Sequence, residues 1–284
     1  MSYQLPRRAF AGCGALDVED PLAGRLKATE DELTGRDTSR LPHDDLGLLR
    51  ARPRRLNTAI AVLFMIGSAG FALGSTGLFA GAVSYTADAA TFFVASIFFT
   101  AASFLQLVQS QSPAMAPDAG DDGRSAPVHL LAWRPRDMAW WAAVTQFPGT
   151  LYFNVTTFAA IGTTTRSVQY DAVVWKPDFY GSILFIVASV FGILAVGRLL
   201  AWRPRDAGWR IAWLNMLGSV FFMASAVAAF VVPDATAPVD VQVDDRGTWA
   251  GAVCFFVAAL LMIPAWTRAR REAAATAAAA AGAT

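Results

Sequence analysis

Six long apolar runs constrain the fold of this 284-residue chain more than any motif in it. They cover residues 56–79, 89–108, 138–161, 179–202, 211–232 and 248–266. A helix needs about 20 apolar residues to cross a hydrocarbon core about 30 Å thick, and each run meets or nearly meets that length. None contains Asp, Glu, Lys or His. Arg198 is the single charge, a turn from the end of the fourth run, where its side chain can snorkel to the headgroups. Lipid offers the backbone no hydrogen-bond partners, so each span must close its own amide bonds as a helix. A barrel would need alternating strands, and residues 92–99 do not alternate. One such run could be a buried core helix of a soluble protein, but six in succession, separated by polar loops, favour a membrane. Composition agrees: 55% of residues are hydrophobic and 16% charged, against about 45–50% and about 25% in soluble domains. The expected fold is an all-α polytopic integral membrane protein with six transmembrane helices.

Charge placement gives the orientation. With six spans, both tails and the second and fourth loops share one side. That side holds twenty of the Lys and Arg residues, and the other holds only Arg166, Lys176 and Arg246. Basic residues mark the cytoplasmic side, so both termini are expected there. Seven tryptophans gather near the basic side, from Trp133 to Trp266, with Trp175 and Trp249 near the other, as an interfacial belt requires.

The spans are expected to form three parallel repeats of a two-helix hairpin. Residues 130–137 and 199–206 are the same octapeptide, Leu-Leu-Ala-Trp-Arg-Pro-Arg-Asp, and 48–55 is a weaker copy. Fourteen residues after each proline stands a small pair: Gly67-Ser68, Gly149-Thr150 and Gly218-Ser219. Four residues after each glycine stands Phe71, Phe153 or Phe222. In the second helices, 94–96 matches 187–189 and 257–259. The resulting organisation is a cytoplasmic, partly disordered tail (1–50), hairpin 1 (51–109), a flexible linker (110–129), hairpin 2 (130–202), hairpin 3 (203–266) and an alanine-rich tail (267–284). Burial alone does not hold helices together in lipid, whereas small residues permit close approach. Gly67, Gly70, Gly74, Gly149 and Gly218 are therefore candidate packing positions.

Two sets of polar residues could carry function. The basic boxes, with Arg52, Arg134, Arg136, Asp137, Arg203, Arg205 and Asp206, sit at helix starts. They read as membrane-edge turns that meet lipid phosphates, or as a ring that gates a path or docks a partner. Inside the spans, Gln146, Asn154, Thr156, Thr157 and Asn215 are either interhelical hydrogen-bonding groups or a neutral polar cavity. Asp240, Asp244 and Asp245 read as a solvated acidic loop.

Much chemistry is missing. His43 and His129 lie outside the spans, Cys13 and Cys254 form no metal or redox motif, and no intramembrane carboxylate or lysine offers a proton relay or Schiff base. No phosphate-binding, zinc-protease or nucleophile-elbow motif occurs. No catalytic residue, metal site or cofactor is expected. A net charge of +1 provides no field for nucleic acid.

The hairpin from Trp209 to Trp266, with 215–219 (Asn-Met-Leu-Gly-Ser) and 246–249 (Arg-Gly-Thr-Trp), resembles the YrhK-like hairpin of bacterial membrane proteins. Residues 50–266 are similar in pattern to uncharacterised six-span bacterial proteins containing that unit. The resemblance implies a bacterial inner membrane and brings no activity with it. The expected function is a non-enzymatic scaffold or accessory subunit that binds the lipid bilayer and other membrane proteins or a second copy of itself. The alternative is a passive channel or carrier for a small neutral solute, with its site on the third helix.

Overall fold

The computed structural model describes residues 50–112, 126–162, 170–197, 199, 202–232 and 238–281. The N-terminal tail through residue 49, most of the expected linker, Arg166 and Arg198 lie outside the described residues. The described residues form six long helices: α1 (Pro53–Gly74), α2 (Tyr85–Gln111), α3 (Met138–Gly162), α4 (Asp171–Val196), α5 (Ala207–Ala228) and α6 (Val241–Ala281). A short helix, Gly77–Ala82, links α1 to α2, and α4 opens with a π-helical stretch, Asp171–Trp175. Strand pairing among the described residues is limited to β1 (Arg50–Ala51) with β2 (Ala126–Pro127).

The all-helical class and the membrane-crossing character hold. Five helices, all but α3, are long and apolar enough to cross a bilayer. The 25-residue α3 has the length, but Thr145, Gln146, Asn154, Thr156 and Thr157 dilute its apolar run. It continues unbroken through Pro148.

Three helix ends depart from the apolar runs, each for a local reason. The first run extends to residue 79, yet α1 stops at Gly74. There the Ser75 hydroxyl donates to the Phe71 carbonyl (2.7 Å) and the Thr76 hydroxyl to that of Leu73 (2.7 Å), which takes up carbonyls at the helix end. The fourth run extends to 202, yet α4 stops at Val196. Gly197 follows with φ 155°, a conformation that suits glycine. The sixth run begins at 248, yet α6 begins at Val241. The Asp240 carboxylate accepts from the amides of Gln242 (2.9 Å) and Val243 (3.0 Å), capping the helix seven residues early. At its other end α6 continues to Ala281 through alanine, the strongest helix former.

The described parts of the two identical octapeptides close the same turn. In each, the aspartate amide donates to the carbonyl of the arginine three residues back, closing a turn around the proline. The aspartate side chain then caps the next helix. Asp137 accepts from Ala139 (2.9 Å) and Trp140 (3.3 Å), and Asp206 from Gly208 (2.8 Å) and Trp209 (3.4 Å). The weaker copy has Arg55 in place of the aspartate, and α1 starts on Pro53 with no side-chain cap.

Consecutive long helices pack side by side and α1 packs on α6, so the six close into a ring. Phe71, Phe99, Phe153, Phe185, Phe222 and Phe255 fill its middle. Their centroids make contacts between 5.0 Å (Phe153–Phe185) and 6.2 Å (Phe99–Phe185), mostly edge-on or tilted. Around them the buried faces are small: Ala95, Ala188, Ala226, Ala252 and Ala258, with Ser68, Ser96, Ser182 and Ser219. The exposed faces are large and apolar, as in Val62, Ile66 and Leu73 on α1 or Leu217, Val220 and Val227 on α5. Bulk outside and small residues inside is the arrangement a helix bundle adopts in lipid.

The candidate packing glycines lie at these contacts. A Cβ on Gly67 would meet Phe99 at 2.7 Å, on Gly70 Ala95 at 2.7 Å, on Gly74 Phe92 at 2.7 Å, on Gly149 Phe185 at 2.9 Å and on Gly218 the Gly251 carbonyl at 3.1 Å. Gly251 is tighter still against Phe222, whereas Gly192 faces open space. One substitution should therefore have opposite signs at two sites. Gly251→Ala should destabilise by about 1–3 kcal/mol through overpacking, and Gly192→Ala should stabilise by about 0.5–1 kcal/mol through helix propensity. Thermal melts of the purified protein in one detergent would show both.

Candidate functional site

The C-terminal ends of α1, α3 and α5 meet the N-terminal ends of α2, α4 and α6 at the face remote from the arginine boxes. Between them lies a cavity of about 240 Å³. Phe71 and Phe92 belong to its lining and connect it to the phenylalanine cluster. Its walls carry four carboxylates, Asp88, Asp178, Asp244 and Asp245, together with Tyr85, Tyr170 and Trp175. Among the described residues, no Lys, Arg or His lines it. The nearest basic residues in sequence, Lys176 and Arg246, are exposed and face elsewhere.

Helical register brings the carboxylates together. Asp88 stands seven residues before buried Ala95, Asp178 ten before buried Ala188 and Asp244 fourteen before buried Ala258. Seven and fourteen residues are close to whole numbers of helical turns, so Asp88 and Asp244 fall on the face that turns inward, whereas ten residues set Asp178 toward the edge of that face. The early caps matter here. Had α6 begun at residue 248, Asp244 would lie in a loop.

The walls are held by hydrogen bonds between helices. Ser225 on α5 donates to the Asp244 carboxylate on α6 (2.6 Å) and lies 2.6 Å from the Thr248 hydroxyl. With one proton on each hydroxyl, Thr248 donates to Ser225 while Ser225 donates to Asp244. The Thr156 hydroxyl on α3 donates to the Val174 carbonyl on α4 (2.5 Å). The Trp175 indole donates to the Ala226 carbonyl on α5 (2.7 Å), and its ring stacks on Phe179 and meets Phe230 edge-on. Tyr170 keeps its proton. Burial first, and then the Asp244 charge, raise its phenol above the ordinary range, so it faces the cavity as a neutral O–H.

Among the described residues, no hydrogen-bond donor reaches Asp178 or one oxygen of Asp88. Asp178 is half-buried, with its carboxylate deep among protein atoms on the cavity wall, and accepts no hydrogen bond from any described residue. The Oδ1 atom of Asp88 is sealed from solvent and has no partner. Asp88 also breaks a pattern. Aligned on Ala95, Ala188 and Ala258, the position seven residues earlier is Gly181 in α4 and Gly251 in α6, both buried in close helix contacts, but Asp88 in α2. The cavity opens beside that replacement.

The polar residues singled out inside the spans are not gathered in one place. Thr156 and Thr157 line the cavity. Asn154 accepts from Thr100 of α2 (3.0 Å), and the Thr157 hydroxyl lies 3.0 Å from that of Ser96. Gln146 and Asn215 are half-buried on α3 and α5, away from this cavity. At the opposite end, Arg134 pairs with Asp137 (3.1 Å) and donates to the Ser110 carbonyl at the end of α2 (2.7 Å). Arg52, Arg136, Arg203 and Arg205 are exposed. Arg205 and Asp206 border another cavity, about 490 Å³, with Asn57 and Trp266. Asp244 and Asp245, expected in a solvated acidic loop, stand on α6 and line this acidic vestibule with Asp88 and Asp178, which lie just outside apolar runs.

Comparison with protein-family models, curated proteins and solved structures gives no match for this chain. Among the described residues, no three His, Cys, Asp or Glu side chains come together as a metal-ligating group.

Removing one wall bond tests this geometry. Trp175→Phe keeps most of the ring contacts but leaves the Ala226 carbonyl without its indole donor. A loss of about 1–3 kcal/mol is expected, the cost of an unsatisfied buried acceptor. Unfolding in detergent, compared with Trp249→Phe at an exposed position, measures it.

Proposed function

We propose that this chain is a six-span, non-enzymatic protein of the bacterial inner membrane, with both termini cytoplasmic. It acts through its surfaces as a scaffold or accessory subunit and does not conduct solute along its axis. The carrying observation is the phenylalanine cluster in the middle of the helix ring. Six rings in mutual contact leave the position a central path would need to apolar packing. The positive-side bias of the arginines, the pairwise packing of consecutive helices and the likeness to YrhK-like hairpins support the topology and the three-hairpin organisation.

The helix surfaces support lipid contact. Near the arginine-rich end, Leu199, Trp202, Trp209, Trp213, Leu214 and Leu217 line an apolar groove of about 590 Å³, with Arg210 at its edge. Tryptophan and arginine around an acyl-sized groove suit an anionic phospholipid, with its chain in the groove and its phosphate on the guanidinium. The channel or carrier reading has less behind it. Asn154 and Thr157 pair with Thr100 and Ser96 of the neighbouring helix, which is how polar groups bind spans together.

Reconstituted into liposomes, the protein should give no flux of small neutral solutes above protein-free vesicles. A saturable flux that falls in Asn154→Leu would favour the carrier reading. Native mass spectrometry should find anionic phospholipid retained by the purified protein and largely lost in Arg210→Ala.

A further inference from the structure

The geometry points to the acidic vestibule as a binding site for a small organic cation with a primary ammonium group. Four carboxylates face one cavity whose described lining residues supply no positive charge. Such charges need a counter-ion or a proton when water is excluded. The deep Asp178 carboxylate accepts no hydrogen bond from any described residue, and the sealed Asp88 Oδ1 has no partner. Asp88 also stands where the matching helices keep a glycine, so close packing is given up at the point where the cavity opens.

The rest of the lining selects the kind of cation. Tyr85, Tyr170, Trp175 and Phe92 offer aromatic surfaces, which attract ammonium groups through the ring quadrupole. Trp175 is pinned in place by its bond to Ala226. A primary ammonium has three N–H donors, which a pair of carboxylates and a phenol oxygen of the lining can accept. A bare divalent ion would require several oxygens converging on one point, and the described residues bring no such group together. A volume of about 240 Å³ admits an amine of a few heavy atoms.

The site does not depend on the axial closure proposed above. Flux and binding are measured separately, and either can fail alone. The test uses the full chain in nanodiscs of zwitterionic lipid, titrated by calorimetry with butylamine, 1,4-diaminobutane, tetramethylammonium and magnesium chloride. Saturable binding of butylamine or 1,4-diaminobutane is expected, with tetramethylammonium and magnesium weaker. Asp178→Asn and Asp244→Asn should each weaken amine binding by at least about tenfold, and Glu272→Gln, at the far end of the molecule, should not. Wild-type selectivity among the four probes decides the matter even if an aspartate variant misfolds. The proposal is overturned by absence of saturable amine binding, by preference for magnesium or tetramethylammonium, or by amine binding that folded Asp178→Asn and Asp244→Asn variants leave unchanged.

Discussion

A phenylalanine seated on a glycine of the facing helix is the contact on which the ring depends. Phe99 meets Gly67, Phe185 meets Gly149, Phe255 meets Gly218, and Phe222 meets Gly251 in return. Each contact does two things. The missing side chain lets two backbones approach, which is what dispersion needs when lipid removes any hydrophobic reward for association. The ring it receives is also directed to the middle of the bundle, where it meets its counterparts. Pairing between neighbours and filling of the centre are therefore one interaction seen from two sides. Enlarging a glycine would disturb both.

Hydroxyl groups supplement this packing without forming a path. Ser189 and Ser219 lie 2.9 Å apart between α4 and α5, and Ser96 and Thr157 lie 3.0 Å apart between α2 and α3. Ser219 also donates to carbonyls of its own helix and of α4. Such groups fit tight interfaces because they are small, and Ser96, Thr157 and Ser219 also reach a backbone carbonyl of their own helix. Each is worth about 1 kcal/mol or less in a bilayer. They set the register between helices more than they set stability. The polar character of α3 has the same origin: its Thr and Asn residues serve the interfaces with α2 and α4.

What could be read from the sequence was whatever a long-range pattern encodes. Apolar runs located every long helix, because lipid demands about the same length from each. The glycine-to-phenylalanine spacing marked the inward faces, because a ring of equivalent contacts needs equivalent residues. Helix ends were harder to read. Whether α6 starts at 241 or 248 depends on the Asp240 cap, and whether α1 stops at 74 or 79 depends on two hydroxyls bonding back. These are local choices worth about 1 kcal/mol, and hydropathy does not report them. The vestibule fell in that blind zone. Asp178, Asp244 and Asp245 stand where an apolar run has not yet begun, so they resembled loop residues. Counting back from the buried alanines in steps of a helical turn places Asp88 and Asp244 on the inner face.

The replacement at position 88 gives the ring its asymmetry. If α2 carried glycine there, as α4 and α6 do at Gly181 and Gly251, Phe71 could seat on it as Phe153 and Phe222 seat on theirs. Instead Phe71 leans on Phe92, Phe99 and Phe222. A carboxylate occupies more room than a hydrogen atom and tolerates burial poorly, so α1 and α2 cannot close at that end as the other pairs do. The short helix Gly77–Ala82, which presents no buried residue, takes up the chain that a longer α1 would have used. An opening follows on one side of the ring, at the level where α4 and α6 bring their own aspartates inward. Shape and charge at this face therefore share one cause: a single helix that departs from the spacing kept by its counterparts.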